Sequence, residues 1–380
     1  ILTVVSTVSS YFFAQYSSII EANQKEFIVS NYNMLGSVIK TLLEIFVLSC
    51  FKSYILYLVI EIFVGVFINV LIASRALKLY PYLHDRVKPI EKEKVKKIWS
   101  NAFNAFSIKT ASTVLNATDN IMISSMITTL IAGSYSTYLL IIMSVQQIVY
   151  TLKTGITASV GNLCVLGSYK EKQRIFRNAM FIFSWINCVI CACFIVGLTQ
   201  FIEFWAGKDY VLSNSVVIFM TINYYLRGMQ WPVEVFYNAD GLYRHFKIKP
   251  WVEVGLNIFF SYILATRVGI VGIILGTTLS ELMTTFWYDI YVTNKYSLKD
   301  SLKDYWIKNF EYIISAVALN FSAIYLASKI TIENGLIEVI IKCIIAGCVS
   351  GIGYMLVFGR TDEFKYYYRL FWRRIKRTEV

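Results

Sequence analysis

An all-α bundle of membrane-crossing helices, arranged in two lobes with a parallel internal repeat, is the fold this sequence predicts. Three observations carry that expectation. Apolar stretches of spanning length follow one another along the chain, Lys and Arg collect in alternate loops, and two distant segments resemble each other. Composition agrees: 16% of residues are charged and the mean hydropathy is +0.56, whereas a soluble domain carries about 25% charged residues.

A spanning helix needs about 20 mostly apolar residues. About eleven such segments are expected, near 1–21, 30–50, 54–74, 101–127, 131–154, 176–202, 213–236, 249–266, 269–292, 309–328 and 335–358. All are expected to be helical, because lipid cannot satisfy the edges of an open sheet. The first is polar for a span. Residue 1 is Ile, and no basic n-region with a small-residue cleavage site precedes the apolar run. The chain is therefore expected to begin inside a longer protein.

The loops sort the cations. Lys25, the segment 75–97, residues 170–177, residues 244–249, residues 295–308 and the tail from Arg360 together hold 27 Lys and Arg. The opposite loops hold only Lys52, Lys208, Arg267 and Lys329. Cytoplasmic loops are enriched in Lys and Arg, so the basic loops and the C-terminus are expected to be cytoplasmic. The net charge of +12 follows from this sorting and is no sign of a nucleic-acid partner. The basic tail reads first as a topology signal, with contact to anionic lipid heads as the second reading.

The repeat is parallel. IIEANQKEF, ending at Phe27, and VFYNADGLYRHF, ending at Phe246, each place a small polar turn, a basic residue and Phe between two spans. Glu61 precedes Arg75 by the same interval at which Glu281 precedes Lys295. The expected domains are 1–74, the remainder of an N-terminal lobe with three spans; 75–100, a basic linker with Pro81 and Pro89; 101–292, a six-helix lobe; 309–358, two further spans; and 359–380, a basic tail. Parallel repeats of helical lobes are a transporter design.

Five cations fall inside spans: Lys40, Lys109, Lys153, Arg227 and Lys342. Such residues face a bundle interior or a watery cavity. Lys40 with Glu44, and Lys342 with Glu338, are spaced for local i,i+4 pairs. Lys153 is placed to snorkel from a helix end. Arg227 belongs to a stripe, Asn223, Arg227, Gln230 and Glu234, on one helical face. Glu234 lies two turns from Arg227, roughly 10 Å along the axis, with Pro232 between them. Lys109, Thr113, Asn116 and Asn120 form a second stripe, with Asp119 beside it.

Two readings of these stripes stand side by side. In one they line a hydrated cavity whose positive charge attracts a diphosphate, which Arg grips with its planar fork. In the other, Arg227 or Lys109 pairs between helices with Asp119, Glu253 or Glu281. The Cys188, Cys191 and Cys193 spacing has no His nearby and reads as helix packing, so no metal, cofactor or disulfide is expected. Gly272 with Gly276 and Gly347 with Gly351 are GxxxG spacings suited to close helix contact.

The stretch NATDNIMISSMITTLIAGSYSTYLLI, Asn116 to Ile141, resembles the start of the second lobe in bacterial oligosaccharide flippases. These are the O-antigen and capsular repeat-unit exporters of the multidrug/oligosaccharidyl-lipid/polysaccharide superfamily. The matching points are Asp119, Ile121–Ser124, Gly133, Tyr135 and Tyr138. ANQKEF at 22–27, ADGLYR at 239–244 and the glycines Gly269, Gly272 and Gly276 are similar to the family's equivalent segments.

The resemblance implies two lobes of six spans, with up to two more, of which this chain lacks the first three. It implies a bacterial cytoplasmic-membrane transporter, not an enzyme. The implied substrate is an undecaprenyl-diphosphate-linked oligosaccharide, moved to the outer leaflet for O-antigen, capsule or similar surface polysaccharide as the lobes rock. Membrane lipids and polysaccharide polymerase machinery are the other implied partners. Asp119, Glu234, Glu253, Glu281 and Glu61 are the candidates for ion coupling. Multidrug exporters share the fold but need acidic cavities. A membrane polysaccharide polymerase or ligase would expose a long outer loop, whereas the longest here is about ten residues, Glu203 to Ser213. A channel reading lacks a filter-like segment.

Overall fold

The structure, a computed structural model, describes residues 2–23, 25–84, 91–330 and 335–378. Gln24, Arg86, Lys88 and Pro89 of the sequence reading lie outside these residues. So do the side chains of Lys97, Cys164, Arg373, Arg374, Lys376 and Arg377. The described residues are helical, with no strand among them. The chain divides into two compact units, residues 1–95 and 96–380, a division that falls inside the basic segment 75–100.

In the first unit, α1 (Leu2–Ser10) and α2 (Ala14–Ala22) replace the single expected span 1–21. Ser9 and Ser10 turn their hydroxyls back onto the carbonyls of Ser6 and Thr7, at 2.8 and 2.7 Å. Such back-bonding competes with a regular helix. The chain then turns through Phe13, in the left-handed region at φ 67°. The Ser10 carbonyl freed by the break accepts from Asn69 Nδ2 at 3.0 Å. α3 (Glu26–Cys50) and α4 (Tyr54–Leu79) complete the unit around Ile20, Val29, Val64, Ile68, Ile72 and Ala76. α4 outruns its expected end at 74, so Arg75 and Lys78 sit on its last turns, where the helix dipole favours cations.

The second unit contains α5 (Lys92–Met126), α6 (Thr129–Leu166), α7 (Tyr169–Trp205), α8 (Asn214–Ala239) and α9 (Lys249–Val268). α10 (Ile270–Met283), α11 (Thr285–Thr293), α12 (Leu302–Ala327), α13 (Gly335–Phe358) and α14 (Asp362–Thr378) follow. α7 begins with a capping box: Ser168 Oγ accepts from the Glu171 amide, and Glu171 accepts from the Ser168 amide. α8 continues through Pro232. The expected span 269–292 is broken at Thr284, whose hydroxyl donates to the Ser280 carbonyl at 2.6 Å. After α11 the chain winds through a π turn, Asn294–Leu298. The Asn294 side chain closes that turn by bonding both the amide and the carbonyl of Asp300.

Seven helical segments among the described residues are long and apolar enough to cross a membrane. They are Phe27–Cys50, Tyr54–Leu79, Thr129–Thr151, Tyr169–Trp205, Ile270–Leu298, Leu302–Ala327 and Gly335–Phe358. The expected span 1–21 is divided into two nine-residue helices, and the expected spans 101–127, 213–236 and 249–266 are helical but more polar. The last three of these carry Lys109 and Asn116, Arg227 and Gln230, and Glu253 and Asn257. Polar residues in spans mark interior or cavity faces, and these three helices supply part of the site's wall.

α7 is the central post of the second unit. Phe181 and Phe183 are fully buried on it, and Tyr312, Tyr354 and Phe358 pack around Phe181. Each such aromatic pair contributes about 0.5–1.5 kcal/mol beyond area burial. Tyr354 OH donates to Ser184 Oγ at 2.8 Å, which satisfies the hydroxyl inside the bundle. The basic segments of this unit meet at one end. Lys172 reaches Asp240 at 3.3 Å, Arg177 reaches Asp300 at 2.8 Å, and Gln173 donates to the Leu298 carbonyl at 3.0 Å.

Only one of the two GxxxG pairs is sterically obligatory. A Cβ at Gly272 or Gly276 would collide with the α9 backbone at Leu264, Ala265 or Ser261. At Gly347 and Gly351 it would meet Cys193, Val189 and Trp185 at ordinary contact distance. Cys188, Cys191 and Cys193 point to three different partners: Asn320, the Thr221 carbonyl and the Cys343 carbonyl.

Candidate functional site

The site is a cavity of about 510 Å³ inside the second unit, walled by α5, α6, α8, α9, α10 and α11. The two sequence stripes supply much of it. Lys109 and Asn116 come from α5, and Arg227, Gln230 and Glu234 from α8. The spacing i, i+3, i+7 puts the α8 trio on one face, and that face is turned to the cavity. A smaller pocket of about 90 Å³ adjoins it, lined by Asp119, Tyr135, Asn223 and Thr277. Arg227, Glu281 and Asn116 line both spaces.

Arg227 is paired. Its Nη2 and Nε both donate to Glu281 Oε1, at 2.6 and 3.1 Å. Glu281 is buried, while 40% of the Arg227 side chain stays accessible. Interhelical pairing was one of the two sequence readings. Pairing and cavity lining coexist here, because Glu281 engages only one edge of the guanidinium.

Two other cations correct the sequence reading. Lys153 does not snorkel: its side chain is buried and its ammonium sits 2.6 Å from Glu234. α8 brings Glu234 within reach, so the carboxylate that Arg227 cannot reach neutralises α6 instead. Lys40 pairs across to Glu61 of α4 at 3.9 Å rather than with Glu44 on its own helix. One oxygen of the buried Glu44 carboxylate is left without a partner. The Lys342–Glu338 pair forms within α13 as its spacing implies.

The sequence missed a third ion-pair centre. Lys249, counted among the loop cations, opens α9 and lies 2.9 Å from Asp289 and 3.9 Å from Glu253. Thr285 donates to Glu253 at 2.9 Å. Glu281, Thr285 and Asp289 recur every fourth residue, a stripe legible in the sequence. Lys249→Met would strand two buried carboxylates, and breaking a buried pair in this way costs about 3 kcal/mol. The expected outcome is a lower thermal midpoint for the detergent-purified protein, with Lys249→Arg close to wild type.

These pairs change the electrostatic picture. The cavity lining carries Lys109, Lys153, Arg227 and Lys249 against Glu234, Glu253, Glu281 and Asp289. The expected positive cavity is therefore formally balanced, because acids from four helices face the same space. Lys109 is the exception: it is exposed, and no carboxylate among the described residues lies within ion-pairing distance. Thr113 turns its hydroxyl onto the Lys109 carbonyl.

Asp119 is held by Thr277 Oγ1 at 2.8 Å and Tyr135 OH at 3.1 Å. Asn257 Nδ2 donates in turn to Thr277 Oγ1 at 2.8 Å. Asn223 accepts from Thr278 and donates to the Ile274 carbonyl. Asn120 is not in this cavity. It accepts from Ser136 of α6 at 3.0 Å and lines an open hollow along α5 and α6. Glu61 belongs to the first unit, with Lys40.

Fold and site together define a polytopic all-α membrane architecture around a polar cavity. Among solved structures, the lipid II flippase MurJ in its inward closed conformation shares it. The TM-score is 0.65 at 16% sequence identity, covering 94% of this chain and 73% of that one. No protein-family model matches the sequence, and no curated protein matches it.

Proposed function

We propose that this protein is a flippase that carries undecaprenyl-diphosphate-linked oligosaccharide repeat units from the inner to the outer leaflet, for O-antigen, capsule or similar surface polysaccharide. The observation that carries the reading is the polar cavity holding Arg227 and Lys109 in a fold shared with a flippase for another lipid-linked substrate. The diphosphate head enters the cavity while the lipid tail stays in the bilayer. Lys109, with no acid partner among the described residues, makes the first contact. The diphosphate then competes with Glu281 for Arg227, whose free edge offers bidentate donors. Asn223, Gln230 and Asn116 contribute amides along the path, whereas Asn120, bonded to Ser136, stands outside it. Rocking of the lobes opens the cavity outward and releases the head.

Displaced carboxylates need a counter-charge, so Glu281 and Glu253 are the coupling groups the geometry favours. Asp119, Glu234 and Glu61 remain candidates on the sequence reading. The protein works in the bacterial cytoplasmic membrane with its C-terminus inside, next to polysaccharide polymerase machinery, and performs no covalent chemistry.

The balanced lining supports a second reading, a multidrug exporter for organic cations, in which Asp119 and Glu281 would be the receptor. One assay separates the two. The intact protein is reconstituted in vesicles with a fluorescent undecaprenyl-diphosphate glycan, and outward movement is followed for wild type and Lys109→Ala. We expect at least tenfold slower movement in the variant. Movement of an organic cation but not of the glycan by wild type would select the exporter.

A further inference from the structure

The end of the second unit where the basic segments meet holds a groove of about 780 Å³ between the first turns of α7 and the helix α14. It shares no lining residue with the central cavity. Lys170, Arg174 and Arg177 stand at i, i+4 and i+7 on α7, and Arg369 faces them from α14. Arg177 is occupied by Asp300 at 2.8 Å. Lys170, Arg174 and Arg369 are exposed, and no carboxylate among the described residues pairs with them. Asp362 and Glu363 line the groove at the start of α14 and set its acidic limit.

The groove is built rather than draped. Only three residues separate the end of the membrane-spanning α13 at Phe358 from the start of α14 at Asp362, so α14 lies at headgroup depth. Tyr367 OH donates to the Asn178 carbonyl at 3.1 Å, and the Tyr367 and Phe364 rings pack on Phe181. The Arg174 guanidinium rests over the Tyr366 ring at 5.6 Å. Tyr368 and Leu370 stay exposed on the same helix. An interfacial helix places apolar side chains of this kind toward the acyl boundary and its cations among headgroups.

We infer that this groove binds the headgroup phosphate of an anionic phospholipid of the adjacent leaflet, with Arg174 and Arg369 as the phosphate donors and Lys170 as a third charge. The chemistry fits: two Arg forks converge on one space, and a guanidinium matches a phosphate with parallel hydrogen bonds. Basic pockets at this depth recognise anionic headgroups. The inference is independent of what the central cavity carries.

The test uses the full chain purified from mixed phosphatidylglycerol and phosphatidylcholine vesicles, with retained lipid counted by native mass spectrometry. Wild type is expected to keep phosphatidylglycerol in preference to phosphatidylcholine. Lys170→Gln/Arg174→Gln/Arg369→Gln should weaken that retention by about 100-fold, since each surface cation is worth roughly fivefold. Lys208→Gln, on a different loop, should change nothing. If the triple variant does not fold, Arg369→Glu on the exposed face of α14 serves alone, with at least tenfold weaker retention expected. Equal retention of both lipids, equal retention by folded variants, or displacement of the lipid by free phosphate at the same affinity would each overturn the inference.

Discussion

Arg227→Ala is expected to destabilise the protein by about 3 kcal/mol and to reduce glycan export at least tenfold. The two losses have different causes. Stability falls because Glu281, only 9% exposed, would lose its ion-pair partner. Export falls because the cavity loses the Arg227 guanidinium. A double-mutant cycle separates them. Arg227→Ala/Glu281→Ala should recover most of the thermal midpoint, since neither charge is then stranded, yet remain defective in export. Arg227→Lys should keep stability but export poorly, because an ammonium cannot bond Glu281 and a phosphate with a planar fork. Recovery of export by the double variant would remove Arg227 from the substrate path.

Gly276→Val is expected to have the largest effect on folding. α9 and α10 cross with backbone in contact. Gly276 faces the Ser261 backbone, Gly272 faces Leu264 and Ala265, and Ser261 Oγ donates to the Ile273 carbonyl at 3.1 Å. A side chain at Gly276 cannot be absorbed by rotating a neighbour, so the strain should reach or exceed the about 1–3 kcal/mol typical of overpacking. The crossing also sets Asn257 on Thr277 and Thr277 on Asp119, so one cavity wall moves with it. Size-exclusion profiles of the detergent-solubilised protein should show loss of the monodisperse peak. Gly347→Ala and Gly351→Ala, where a Cβ meets only ordinary contacts, should stay within about 1 kcal/mol of wild type.

Helical periodicity made much of this site legible before any coordinates. The rows Arg227, Gln230, Glu234 and Lys109, Asn116 each reach the cavity because a 3.6-residue repeat fixes which side chains share a face. The same repeat says nothing about what stands opposite. Lys40 therefore looked paired with Glu44 and is paired with Glu61, and Lys153 looked exposed and is buried against Glu234. Asn120 kept the right spacing but is bonded to Ser136 of α6 outside the cavity. Lys249 was hidden by its place beside Arg244 and Lys247 in a basic loop, though it opens a helix and neutralises Asp289. The balance of charge in the cavity depended on these tertiary partners, so the positive cavity expected from the sequence did not survive them. The break of the first span at Phe13 had a local signal in Ser9 and Ser10, whose hydroxyls cap their own turn.

The most direct test of the central claim is complementation. The intact gene is expressed in hosts deleted for their own repeat-unit flippase, across several glycan backgrounds, and surface polysaccharide is measured for wild type and Arg227→Ala at matched expression. The account predicts that wild type restores surface glycan in at least one background and that the variant does not. Failure of wild type in every background, together with raised resistance to cationic drugs, would contradict it.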